Sequence, residues 1–467
     1  MKKIKAGLVA LAAALALTAC GGNNKADDKA SNQDTSKENV TSNAGSNESS
    51  GEKSFSGKTL TIAGLDSGYG TEGWKKVIAD FEEETGAKVE AKFEKNIADV
   101  IRPEIQAGNS PDFIYHSVGT ESALTETMVK ENMVDEITDV LDKKVPGEDK
   151  TVREKIIPGF LDTAVTNPYG DGKTYLAPLF YSPTGLWYNK AMFKEGGGKY
   201  ELPETMDDFI KLGEEAKKDG IALFTYPTTG YFDTFTFAML YDIGGQKLFD
   251  KLMSYDKDAW ENEATPYFEN TGKILKYVNK DTVAQANNES FTKNQLQVMK
   301  NESLFMPNGT WVVEEMKDAE GVAKDFEWGL MPLPKVNKDG ERYAYSFFEQ
   351  GFIPKDAKEK ELAKEFVAFL YSDKAAKAFA ENGGAVQPIE GAEGMLKDEV
   401  KKSYYSIYEN GVKAALGGWT ATPSVEGVDM TKTIFDSINS VANGDKSVED
   451  WHKEVVEAAG KIQDAMK

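Results

Sequence analysis

Few side chains in this sequence are equipped for covalent or proton-transfer chemistry. Its 467 residues include one cysteine, Cys20, and two histidines, His116 and His452. An activated nucleophile, a helical zinc site or a phosphate-cradling glycine loop would each leave a spaced motif. None of G-x-S-x-G, H-E-x-x-H or the P-loop pattern occurs. Acids are abundant instead, with 77 Asp and Glu against 55 Lys and Arg and a formal net charge of −22. Two carboxylates flanking one glycosidic bond, at about 5 Å or 6.5–9.5 Å, would make a glycoside hydrolase. No acidic pair here stands in a recognisable pattern, so the sequence points away from an enzyme. An EF-hand loop is missing too, and pairs such as Asp256 and Asp258 read as solvated surface. Neither a metal nor another cofactor is expected. The acidic balance argues against nucleic acid and against direct docking on anionic lipid.

Whatever the remaining polar and aromatic residues hold must be positioned by strands and helices. Thr59–Ala63 reads as a buried strand, followed by a glycine-rich turn over 64–73. A helix then shows Trp74, Val77, Ile78 and Phe81 on one face, with Gly86 as its stop. Val89–Phe93 alternates as a strand. Ile97–Ala107 reads as helical, with Pro103 marking a fresh helix start, and Asp112–His116 is a third strand. Alternation at this spacing predicts βαβ units and a largely parallel sheet. Further strands are predicted at Thr174–Pro178, Leu186–Tyr188 and Ile221–Tyr226. Ala191–Asp219 is expected to be mostly helical, Trp328–Pro334 and Ala344–Pro354 extended, and Glu361–Leu370 an amphipathic helix. Ligands of open α/β sheets bind beyond the carboxyl ends of strands, which singles out the loops after residues 65 and 116. The fold class is therefore α/β, in two lobes, because about 410 globular residues exceed one ordinary core.

The N-terminus carries a different chemistry. Lys2, Lys3 and Lys5 precede an uncharged run from Ala6 to Ala19, which has the form of a secretory signal and is too short to span a bilayer. Leu17-Thr18-Ala19-Cys20 resembles the lipobox of bacterial lipoproteins. That resemblance implies cleavage before Cys20, lipid on its sulfur (a palmitate-type anchor) and residence on the outer face of the cell membrane, extracellular or periplasmic. Residues 21–54 lack aromatics and are nearly devoid of aliphatics, so they are expected to form a disordered tether. A coil of about 34 residues reaches on the order of 30 Å.

A series of segments in order then carries a second resemblance: Phe81–Val89, Ala107–Asp112, Gly172–Pro178, Gly185–Lys190 with Phe193, Leu202–Asp208, Asn308–Trp311, Gly329–Pro334 and Glu361–Phe366. From residue 56 onward the chain resembles the extracellular solute-binding proteins of carbohydrate ABC transporters, the family of maltose- and oligosaccharide-binding proteins. The resemblance implies a monomer of two lobes closing over a sugar and handing it to a permease driven by a cytoplasmic ATPase. The expected limits are 1–19 signal peptide, 20–55 lipidated linker, 56–172 with 329–390 lobe 1, and 173–328 with 391–467 lobe 2. Thr174–Pro178 and Ala344–Pro354 would carry the chain between lobes.

A sugar site needs hydrogen-bonding groups at the ring edge and flat apolar surfaces on its faces. With that ligand implied, the candidates are Asp66, Ser67 and Tyr69 after the first strand, and His116, Ser117, Thr120 and Glu121 after the third. Tyr181 is expected at the hinge, and Tyr226, Thr228, Tyr231 and Phe232 at a strand end of the second lobe. Trp311, the hinge residues Phe348, Glu349 and Gln350, and Trp419 on its glycine turn complete the set. Alternative roles stay open for several: Glu121 could cap a helix, and the Tyr226–Phe232 loop could simply be packed. Trp74, Trp187, Trp260, Trp328 and Trp451 read as core. The overall look leans towards amino-sugar or glycan-derived oligosaccharides, with Gln350 as an amide partner for an acetamido group. A polyamine or another small solute on the same fold is the alternative, and an adhesive lipoprotein without a transporter is a third.

Overall fold

The structure, a computed structural model, describes residues 54–467 except 119–121, 158, 162, 409 and 421. The signal, Cys20, most of the tether, Thr120 and Glu121 therefore lie outside the described residues. Nine strands form one hydrogen-bonded system: β1 Thr59–Leu65, β2 Lys88–Glu94, β3 Phe113–His116, β4 Ala177–Asn189, β5 Ala222–Phe224, β6 Ser303–Gly309, β7 Trp328–Met331, β8 Arg342–Phe352 and β9 Val412–Ala415. Their order is β2-β1-β3-β8-β4-β6-β5, with β7 on β4 and β9 on β8.

The sheet is mixed rather than largely parallel. β1 pairs in parallel with β2 and β3, and β5 with β6, as βαβ units require. At the centre β8 runs antiparallel to β3 and to β4, and β4 antiparallel to β6 and β7. Sequence patterning sees strands but not the direction in which a distant strand returns. β4 is also one continuous strand of 13 residues where two short ones were expected. Pro178, Pro183 and Gly185 read as breaks. A bulge between Pro178 and Phe180 absorbs the first, and Gly185 is needed because a Cβ there would meet the Met331 carbonyl at 2.4 Å.

Local rules account for most other elements. The helix Glu72–Thr85 buries Trp74, Val77 and Phe81, and Gly86 ends it with φ of 76°. The helix Ile97–Gln106 runs through Pro103 without restarting. Residues 190–196 make only two 3₁₀ turns, and the true helix, Met206–Lys218, starts at a capping box on Thr205 and Asp208. No helix among the described residues is long and apolar enough to cross a membrane.

Two large cores sit at the two ends of the crossing strands β4 and β8. One gathers Leu60, Trp74, Phe81, Phe113, Phe180 and Phe366, the other Leu186, Phe209, Phe305, Trp260, Tyr345 and Trp451. Trp74, Trp187, Trp260 and Trp451 are fully buried, and Trp328 is half-buried. A single carboxylate knits the first end together. Asp112 is 3% exposed. One oxygen accepts from the Thr61 amide at 2.9 Å and hydroxyl at 2.6 Å, the other from the amides of Lys358 and Glu359 at 2.9 Å each. Asp112→Ala strands those donors and should cost about 3 kcal/mol in urea denaturation, with Asp112→Asn losing less because it keeps one acceptor oxygen.

Candidate functional site

Carboxyl-end loops of β1, β3 and β6 converge on the middle of β4 and β8, where the sheet forms the floor of a cleft. The cleft has two halves that share Val118, Phe347 and Phe348. One half, of about 640 Å³, is walled by Tyr69, Ser117, Phe180, Ser182, Trp311 and Glu349. The other, of about 490 Å³, is walled by Asp233, Phe237, Tyr345, Gln350 and Trp419.

Aromatic faces run the length of this cleft. Trp311 stands 6.3 Å from Tyr231 and 5.7 Å from Phe347, centroid to centroid. Phe347 continues to Tyr345 at 5.2 Å, Tyr345 to Phe237 at 5.1 Å, and Phe237 to Trp419 at 6.0 Å. Trp419 is held by stacking on Tyr255 at 5.4 Å and 19°. The Trp311 indole lies so close over Gly309 that a Cβ there would approach it to 2.0 Å, so glycine is obligatory. On the opposite half Tyr69 lies 5.5 Å from Phe180.

Glu314, Glu315 and Lys401 line the first half and Glu126 and Lys130 the second, and two further carboxylates are buried in the walls. Glu349, on β8, accepts a hydrogen bond from the Tyr115 hydroxyl, which lies 3.2 Å from Ser67 Oγ. Burial pushes Glu349 up to about 7, and Ser67 opposes this only in part. Asp233, one residue into the long helix Phe232–Met253, is likewise pushed up to about 7 by burial, opposed by the Thr234 amide. Among the described residues neither forms an ion pair. Thr310 and Ser182 meet across the floor at 2.6 Å.

The structure sorts the expected residues. Tyr69, Ser117, Trp311, Phe348, Glu349, Gln350 and Trp419 line the cleft together, and Tyr231 supports Trp311. Ser67 acts from behind, through Tyr115. Asp66 lines neither half, its amide donating to Glu94 O. Gln350 is committed internally, its Oε1 accepting from Val118 N at 3.0 Å and its Nε2 donating to the Phe348 carbonyl, so its amide fixes a loop instead of awaiting an acetamido group. His116 is buried, its Nδ1 2.9 Å from Ser117 O, with its pKa lowered by burial. Tyr226 belongs to the second core and donates to Asn439. Phe232 is buried there too, and Thr228 precedes a 3₁₀ turn outside both halves. Tyr181 points away from the cleft: Phe180 and Ser182 face it, and strand alternation turns the residue between them to the other side. Sequence reasoning missed Phe180, Ser182, Thr310, Phe347 and Asp233. Asp233 carried a readable signal, an acid beside the Tyr231–Phe232 aromatics at a loop-to-helix junction.

With this geometry in place, comparison with known proteins identifies the lineage. The family model described as bacterial extracellular solute-binding protein matches residues 67–377. The chain belongs to this family. Similar relatives include the diacetylchitobiose binding protein NgcE of Streptomyces coelicolor, 26% identical over 71% of this chain and 70% of the relative. DasA of the same organism, also a diacetylchitobiose binding protein, is 25% identical over 82% and 81%. Among solved structures, the bacterial solute receptor AcbH, with an exclusive preference for β-D-galactopyranose, superposes with a TM-score of 0.66 at 20% identity, covering 87% of this chain and 99% of its own. RafE of Streptococcus pneumoniae in its apo form superposes with a TM-score of 0.63 at 18% identity, covering 88% and 99%. The two-lobed α/β fold is thus the fold of these solute receptors.

The raised carboxylates make stability depend on pH. An acid whose folded-state pKa lies above its ordinary value holds its proton more tightly when folded, so its contribution is full below that ordinary value and is lost as pH rises through the folded value. For Glu349 that window runs from 4.5 to about 7. Thermal unfolding of wild type and Glu349→Gln should therefore agree best below pH 4.5, with the variant gaining relative stability as pH rises to about 7 and no more beyond it. A difference independent of pH would contradict the assignment.

Proposed function

We propose that this receptor binds an oligosaccharide in the cleft, with a lean towards amino-sugar or glycan-derived ligands, and delivers it unchanged to an ABC importer permease powered by a cytoplasmic ATPase. The observation that carries the reading is the indole of Trp311, set between Tyr231 and Phe347 in the half of the cleft that holds Glu349. Aromatic faces cover the C–H surfaces of a pyranose while a carboxylate accepts from its edge hydroxyls. Relatives named for diacetylchitobiose, multiple sugars and melibiose, raffinose and stachyose support the class.

Three further parts belong to the same proposal. Cys20 is the site of lipid attachment, holding a monomeric receptor to the outer face of the membrane. The lobes divide on the crossing strands, with lobe 1 taking 56–183 and 346–411 and lobe 2 taking 184–345 and 412–467. The two cores and the switch of β4 from pairing with β8 to pairing with β6 support these limits, which differ from the cuts expected at 172, 328 and 390. Closure about β4 and β8 gives the permease a loaded form to recognise.

Calorimetry with N,N′-diacetylchitobiose, maltose, raffinose and spermidine tests the ligand class. A neutral oligosaccharide should bind and be recovered intact, and spermidine should be silent. Trp311→Ala and Glu349→Ala should each weaken sugar binding at least tenfold while leaving the folded chain intact by circular dichroism. Binding of spermidine alone, or hydrolysis of the sugar, would overturn the reading. For the anchor, Cys20→Ala should abolish metabolic palmitate labelling and release the protein to the medium.

A further inference from the structure

A second cavity, of about 1010 Å³, lies behind β4 on the side away from the cleft. Its volume is in the range of small-molecule sites. Both lobes build it: Phe160, Tyr181, Tyr405 and Tyr408 from the first core, Tyr241 and Tyr343 from the second. Tyr181 packs edge to face on Phe160 and on Tyr405, each at 5.1 Å, and Tyr241 lies tilted against Tyr343 at 5.3 Å, which fixes the orientation of these rings. Tyr405 lines both cavities, and its hydroxyl donates to the Tyr181 carbonyl at 3.0 Å.

Two hydroxyls in this wall are left over among the described residues, that of Tyr408, which is buried without a hydrogen-bond partner, and that of Tyr181. Tyr181 is 4% exposed, and its hydroxyl makes no hydrogen bond among the described residues. The Tyr181 side chain lines the cavity with its hydroxyl uncommitted, whereas the neighbouring hydroxyls of Tyr241, Tyr343 and Tyr405 all donate within the protein. Burial, followed by Tyr405, Tyr408 and Glu393, holds Tyr181 well above its ordinary pKa, so it remains a donor at every physiological pH. Glu393, Ser403 and Ser406 at the rim supply acceptors and hydroxyls. Rim charge is of both signs, with Glu390, Glu393 and Glu399 facing Lys402 and Lys413, and it demands no charged ligand.

From this combination we infer that the cavity behind β4 is a second binding site, taking a neutral sugar ring whose faces rest on the tyrosines and whose edge accepts from the Tyr181 hydroxyl. It is independent of the front cleft, since among its walls only Tyr405 is shared.

The test uses the full-length chain carrying Trp311→Ala, to weaken the front site, titrated with galactose, N-acetylglucosamine, maltose and N,N′-diacetylchitobiose by calorimetry and saturation-transfer NMR. At least one sugar should saturate this variant at one site per chain. Adding Ser406→Trp, an exposed rim position that touches the rear cavity and not the cleft, should weaken that binding at least tenfold. Tyr181→Phe, which removes only the hydroxyl, should weaken it severalfold, and circular dichroism reports whether each variant is folded. No saturable sugar binding in the Trp311→Ala chain, or residual binding indifferent to Ser406→Trp, would overturn the proposal. Saturation of the rear site by indole or choline with all four sugars silent would overturn the ligand class. Because Ser406→Trp reads the rear cavity alone, failure of the front-site reading would leave this result interpretable.

Discussion

Everything in this molecule hangs on the antiparallel pairing of β4 with β8, from Ala177 opposite Gly351 to Pro183 opposite Ser346. The β3–β8 register joins the first lobe's sheet to this pair, and the β4–β6 and β4–β7 registers join the second. The same residues are therefore the link between cores and the floor of the cleft. Two demands follow. Backbones must approach closely, which is why Gly351 sits where a Cβ would meet the Phe113 ring at 2.3 Å. Polar atoms on the floor must be satisfied within it, and buried Ser346 donates its hydroxyl to the Ser182 carbonyl at 3.2 Å. A hinge built from strands can bend at its ends only while these middle bonds persist.

That floor also sets the electrostatics of the site. Glu349 and Asp233 approach the cleft from different elements, and burial raises both to about 7. A buried carboxylate without a cation is unfavourable unless it finds donors. In the core such a group would be replaced by an apolar side chain at little loss. On a cavity wall its donors can arrive with the ligand, because hydroxyls of a sugar replace the water that otherwise serves. The cost of partial desolvation is then already present before binding, and the carboxylates need no rearrangement to accept.

Helix and strand existence was legible where a local rule decided it, as in the face of Trp74, Val77 and Phe81 or the stop at Gly86. Cleft residues at strand ends, Tyr69, Ser117 and Trp311, were legible because strand-end position and glycine turns point to open loops. The misses share a different physics. Strand direction at β8, the role of Gln350 and the burial of Tyr226 depend on partners more than a hundred residues away or on which face a loop turns inward. Gln350 looked like a ligand group because a buried amide needs an explanation, but Val118 and Phe348 provide it.

The hardest distinction was the side of a strand, and a single irregularity controls it. Side chains alternate along β4, so a shift of one residue would exchange its faces. The bulge between Pro178 and Phe180 sets that phase. It turns Phe180 and Ser182 to the front, where they meet Tyr69 and Thr310, and Tyr181 to the rear, against Phe160 and Tyr405. Proline in a strand signals a bulge without saying where the register resumes, so sequence placed Tyr181 at the hinge but on the wrong side. The same bulge lets one strand wall two cavities. Tyr405, bonded to the Tyr181 carbonyl and exposed to both, is the thin partition that results.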